Sequence, residues 1–167
     1  MGKPLKIYWD TCAWLGLLNG EPDKKRELEI VYDAARKGRY QLWTSALAIV
    51  EARRLNVEKN DPKPLSAENE EKIARIFKQE FVMTTPLDLD VANKARALWR
   101  LTVGLGKFQD AVHIASAQKW NISLMHTYDN DDILPLNGNL FCRNGDALVI
   151  CYPDETTDGP LFKKEVG

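Results

Sequence analysis

An excess of positive charge, a long apolar run and a paired-cysteine framework are all missing from this sequence, and each absence removes a class of protein. The 23 lysines and arginines are balanced by 24 acids, for a net charge of -1 and a sequence pI of about 6.1. No global basic field therefore announces a nucleic-acid partner, although a cation at an acidic site would supply positive charge locally. No apolar stretch approaches the roughly 20 residues that span a bilayer. The N-terminal run Met1-Gly2-Lys3-Pro4-Leu5-Lys6 lacks the apolar core and small-residue cleavage site of a signal peptide. The expected location is the cytoplasm, with no membrane association. Cys12, Cys142 and Cys151 form no Cys-x-x-Cys pair, and their odd number argues against a disulfide framework. The spacing of the cysteines and histidines offers no zinc site.

What is present fits one α/β domain. The 167 residues are long enough to bury a core, and 44% hydrophobic with 28% charged residues is ordinary for a globular chain. Five short runs rich in β-branched and aromatic residues read as strands, at 5–9, 40–44, 80–84, 122–127 and 147–152, the last stopped by Pro153. Helical spacing fills the intervals. Residues 23–37 carry Leu28, Val31, Tyr32 and Ala35 at steps of three and four. Ser66 can cap a helix with Glu68, Glu70 and Glu71 in its first turn, which turns Ile73, Ile76 and Phe77 inward. Residues 88–101 place Val91, Ala95, Leu98 and Trp99 on one stripe, and residues 109–119 form another helix. Strands and helices in alternation predict βαβ units and a mainly parallel five-stranded sheet. Residues 56–64 form a polar loop with two prolines. The domain is expected to span 1–153, with 154–167 a polar, frayed tail.

Ligands of an open α/β sheet gather at the carboxyl ends of its strands, so the acids placed there carry the functional argument. Asp10 directly follows the first strand and Asp129 the fourth. Glu51 lies about two turns into the helix that begins at Thr44-Ser45, and Asp110 opens the helix 109–119. Four carboxylates from four elements can converge on one edge. Each alone has a plainer reading: Asp10 as a turn former or helix N-cap, Asp110 as a partner of a helix dipole, Asp129 as part of an acidic loop. Glu51 is harder to dismiss, because its helix is otherwise apolar from Ala46 to Ala52. Gathered carboxylates repel one another and take up protons unless a cation occupies the cluster. Hard cations accept such oxygen ligands, and two of them about 3.5–4 Å apart can cleave a phosphodiester.

Other strand-end aspartate chemistries fail on the neighbouring residues. An aspartyl phosphatase needs a second acid two residues on, where Asp10-Thr11-Cys12 has none. A phosphate-receiving signalling domain needs paired acids near the first strand, which Lys6 and Tyr8 do not supply. No Gly-x-Gly-x-x-Gly follows the first strand, which argues against a dinucleotide domain.

Four stretches together resemble the PIN domain of VapC-type toxins: Ile7-Tyr8-Trp9-Asp10-Thr11, residues 44–51 ending in Glu51, Asp110-Ala111-Val112-His113-Ile114-Ala115-Ser116-Ala117, and Thr127-Tyr128-Asp129. The resemblance runs from Ile7 to Asp132 and, more loosely, to Pro153. It implies a three-layer α/β/α fold, Mg²⁺ or Mn²⁺ as cofactor, and endonucleolytic cleavage of RNA. By that pattern Asp10, Glu51 and Asp110 are metal ligands, Asp129 is the fourth catalytic acid, and Asp131 or Asp132 assists. The family also implies the toxin role of a type II toxin–antitoxin system, a small antitoxin partner and a homodimer. The alternative is the same fold as a non-catalytic RNA- or protein-binding module.

Supporting residues follow. The hydroxyls of Thr11 and Thr127 stand where they can orient carboxylates or waters. Small residues in 110–117 let that helix press on the sheet, and His113 within it reads as a packed structural histidine. Cys12 reads as a packing residue, and Trp14 and Trp120 read as core packing, with base stacking the alternative. Arg53, Arg54 and Lys107 are either RNA phosphate contacts or solvated basic residues.

Overall fold

Alternation along the first strand decides the architecture. In β1 (Leu5–Trp9), Ile7 and Trp9 point to one face and Tyr8 to the other, and all three are fully buried. A strand with no solvated face has to be covered on both sides, as parallel sheets are. The computed structural model, which describes residues 2–153, shows this arrangement; the tail expected at 154–167 lies outside the described residues.

The chain continues through α1 (Thr11–Asn19), α2 (Lys25–Arg36), β2 (Tyr40–Ser45), α3 (Ala46–Glu51), α4 (Ala67–Phe77) and β3 (Val82–Thr85). It then forms α5 (Leu89–Leu101), α6 (Phe108–Lys119), β4 (Leu124–His126) and β5 (Val149–Cys151). The strand order is β3-β2-β1-β4-β5, and every neighbouring pair is parallel. Ile7, Trp9, Leu42 and Leu124 pack with α1, α2 and α4 on one face. Tyr8, Met125 and Ile150 pack with α5 and α6 on the other. The result is a three-layer α/β/α sandwich.

Three differences from the sequence reading have physical causes. Helix α1 carries no helical stripe to read, because Thr11, Ala13, Trp14, Gly16 and Leu18 are all buried and little polar contrast remains. Gly16 within it lets α2 approach: a Cβ there would lie 2.9 Å from Leu28 Cδ1 and 3.1 Å from Glu21 Oε2. Helix α3 is only six residues long, so Glu51 is its last residue rather than an interior one. On α5, Val91 and Ala95 are buried as expected, but Trp99 is 44% exposed and rests against Phe108 at 6.2 Å between ring centroids. Trp14 is fully buried between Trp9 and Phe77, and Trp120 packs partly buried on the α5–α6 face. No helix of the described residues is long and apolar enough to cross a membrane.

Leu124 sits fully buried on β4, between the sheet and the α1–α2 layer. Leu124→Ala should therefore cost about 2–5 kcal/mol, read as a lowered urea midpoint at unchanged m-value.

Candidate metal centre

The chain runs from β1 outward to β2 and β3, then returns to β4 and β5 on the opposite side, so β1 and β4 flank the topological switch point. The side chains that leave these two strands meet there. Asp10 follows β1 in extended conformation and caps α1, its Oδ1 accepting from Ala13 N–H at 3.2 Å. The other oxygen accepts from the Thr127 hydroxyl beyond β4, a very short contact between two buried groups. The plain role of Asp10 as a helix N-cap is thus present, and its carboxylate also lines the cavity.

Thr127 Oγ1 also accepts the Asp129 N–H at 3.0 Å, and Asp129 Oδ1 accepts the N–H groups of Asp131 and Asp132 at 3.1 and 2.8 Å. This folds the acidic loop back so that Asp132 comes beside Asp110. One carboxylate oxygen each from Asp110, Asp129 and Asp132 lies within 4.8 Å of the others. Asp110 enters from the first turn of α6, and its Oδ2 is buried with no hydrogen-bond partner among the described residues. Burial, reinforced by the charges of Asp129 and Asp132, pushes the Asp110 carboxyl up to about 6.

Glu51 is held on the far wall by two donors. Thr11 Oγ1 donates to Glu51 Oε1 at 2.8 Å, and His113 Nε2 lies 2.9 Å from the same oxygen. Burial would push this carboxyl up, but the His113 hydrogen bond and charge, with the Thr11 bond, hold it below its ordinary value. His113 Nδ1 lies 2.6 Å from the Tyr8 hydroxyl. Burial, with Asp10 and Glu51 nearby, keeps that phenol protonated far above its usual range. Glu51 as a carboxylate can only accept, so the His113 Nε2 beside it carries a proton. Cys12 contributes as well: burial and the Asp10 charge push its thiol up, so it stays S–H and donates to Asp10 Oδ1 at 2.9 Å.

All four expected acids line one cavity of about 740 Å³, together with Asp131, Thr11, Lys107, Lys24 and Tyr128. Lys107 reaches Asp132 at 3.8 Å. Arg54 is turned away, its Nη1 donating to the carbonyls of Glu58, Lys59 and Asp61, and Arg53 lines other cavities, beside α4. The tie from His113 to Glu51 was missed in the sequence reading, although the spacing Asp110-x-x-His113 places both on one face of α6. Lys24 and Tyr128 carried no comparable signal.

The donor set fits a hard divalent cation. It consists of carboxylate oxygens, one of them a buried acceptor with nothing to accept, on three groups close enough to share an ion. Asp10 and Glu51 line the same cavity but lie outside that close trio.

A protein-family model described as PIN domain matches residues 7–134. No curated protein matches the chain. Among solved structures, 12 chains match. One is VapC20 of Mycobacterium tuberculosis, described as a sarcin-ricin loop cleaving toxin; it is 19% identical, with a TM-score of 0.59, over 75% of this chain and 91% of that one.

The raised Asp110 carboxyl has a consequence for stability. Its protonated form is favoured in the folded chain, so the metal-free protein should lose stability as pH rises from the ordinary carboxylate range through about 6. In EDTA at pH 7.5, Asp110→Asn should melt at a higher temperature than the unsubstituted chain, and the difference should close near pH 4. Scanning calorimetry at both pH values checks this; equal melting throughout would mean that the carboxylate is solvated.

Proposed function

The chain belongs to the PIN-domain family, and from that premise we propose that it is an endoribonuclease, hydrolysing RNA phosphodiester bonds at the acidic cavity with Mg²⁺ or Mn²⁺. The observation that carries this reading is the unpartnered, buried Asp110 Oδ2 beside two further carboxylates. A structural salt-bridge network would have given that oxygen a donor from the protein. Asp10, Glu51, Asp110 and Asp129 are the proposed catalytic and metal-holding acids, with Asp132 and Asp131 assisting from the loop.

A divalent cation bound there supplies Lewis-acid stabilisation of the phosphoryl oxygens and a water nucleophile at neutral pH. The chain's own residues supply order. Thr127 and Cys12 fix the rotation of the Asp10 carboxylate, while Thr11 and His113 fix Glu51. Three of these four donors are nearly water-free, so the acids meet the substrate already oriented. Lys107, at the mouth, stands where it can meet a phosphate.

The biological role we propose is the toxin of a type II toxin–antitoxin pair, acting in the cytoplasm as a homodimer and silenced by a small antitoxin protein. Support comes from the family and from the shared fold of VapC20.

Incubation with mixed structured RNAs in Mn²⁺, Mg²⁺ or EDTA, with Asp110→Asn in parallel, tests the chemistry. Cleavage should require metal. The variant should fall by more than the roughly 10–100-fold that loss of an outer-shell partner costs. Cleavage that survives both EDTA and the substitution would overturn the reading.

A further inference from the structure

A strand of RNA that enters the cavity meets a wall carrying five carboxylates, so its phosphates need cations along the approach. Two lysines line the same cavity. Lys107 is a loosely held candidate, with 67% of its side chain exposed and its ammonium 3.8 Å from Asp132. Lys24 is held quite differently. Only 25% of its side chain is exposed, and its Nζ stands 4.7 Å above the centre of the Tyr128 ring.

The surroundings of Lys24 are built rather than incidental. Tyr128 lies between Thr127, which binds Asp10, and Asp129 of the acidic loop. Its backbone N–H donates to Cys12 Sγ at 3.4 Å, and its ring leans on Tyr152 at 5.8 Å. The ring is therefore fixed to the same frame as the acids. Glu21 approaches Lys24 Nζ at 3.4 Å from the turn between α1 and α2, a turn drawn close by Gly16. An i,i+3 ion pair of this exposure contributes little to stability. A ring face, in contrast, holds a cation without using its N–H donors, so the ammonium remains able to bind an anion.

We propose that Lys24 is an RNA phosphate contact of the acidic site and that Tyr128 is the positioning residue that fixes its ammonium. The inference rests on the nuclease reading and adds a substrate contact to it. A phosphate reaching the acids would pass beside an ammonium already partly stripped of water and confined in rotation. Less conformational entropy is then lost when the contact forms than for the more exposed Lys107 side chain.

The test uses the full chain. Cleavage kinetics in Mn²⁺ separate KM from kcat, and binding of a fluorescent single-stranded RNA is followed against salt in the Asp110→Asn background. Lys24→Gln should raise KM about tenfold at unchanged kcat. It should also lower the slope of log affinity against log salt by about 0.7, as loss of one single-strand phosphate contact does. Lys24→Arg should restore the slope. Tyr128→Leu should reproduce the loss and Tyr128→Phe should not, because only the latter keeps the ring. Mn²⁺ affinity by calorimetry should stay constant across the Lys24 and Tyr128 series made without the Asp110 change, which separates a lost contact from a damaged fold. An unchanged KM and salt slope in Lys24→Gln, with metal-dependent cleavage intact, would overturn this inference and leave the nuclease reading standing. Absence of metal-dependent cleavage by the unsubstituted chain would overturn both.

Discussion

Acidic side chains held together at a half-buried edge are the constraint on which this structure turns. Asp110, Asp129 and Asp132 bring carboxylate oxygens within 4.8 Å of one another, and one Asp110 oxygen has no protein donor among the described residues. Burial, with the charges of Asp129 and Asp132 beside it, raises the Asp110 carboxyl. The fold keeps the acids there nonetheless, and it secures three of the surrounding acids from behind. Asp10 is tied to a helix terminus, a thiol and a hydroxyl; Glu51 to an imidazole and a hydroxyl; Asp129 to the turn it closes. The trio of Asp110, Asp129 and Asp132 is where we propose that a divalent cation is held.

The all-parallel sheet makes that gathering possible. Every strand delivers its carboxyl end to the same edge, and the switch between β1 and β4 opens a gap there. Asp10 and Thr127 bond across the gap, so the two halves of the chain are joined at the point where the acids collect. Helix α6 brings Asp110 and His113 in together, and its small residues Ala111, Ala115, Ser116 and Ala117 are all fully buried against the sheet layer. The same packing that completes the core therefore aims the acids. A defect in the α6 face would disturb stability and site geometry together.

Much of this was legible in the residues. Short runs rich in β-branched and aromatic residues marked all five strands, and stripes of three-and-four spacing marked α2, α4 and α5, because those helices have one wet face. Helix α1 was not legible, since both its surroundings are apolar and periodicity needs contrast. The strand-end rule located Asp10 and Asp129, and an acid inside an apolar run flagged Glu51. The rule could not say that Asp132 joins Asp110 and Asp129 while Asp10 and Glu51 stay outside that trio, because the placement of the acidic loop against α6 is a tertiary outcome. Arg53 and Arg54 followed Glu51 in sequence, but the end of α3 at Glu51 turns the chain away. Arg54 then becomes a staple for the 58–61 loop. Lys24 reached the cavity from a turn that no local pattern announces.

Soaking crystals in Mn²⁺ and collecting anomalous diffraction tests the central claim most directly, because it locates the ion without reference to any substrate. An anomalous peak is expected in the acidic cavity at ligand distance from Asp110 Oδ2, shared with at least one of Asp129, Asp132 and Asp10, and it should be lost in Asp110→Asn. No peak in that cavity at saturating Mn²⁺, or one that persists unchanged in the variant, would contradict the claim that these carboxylates are gathered to hold a cation.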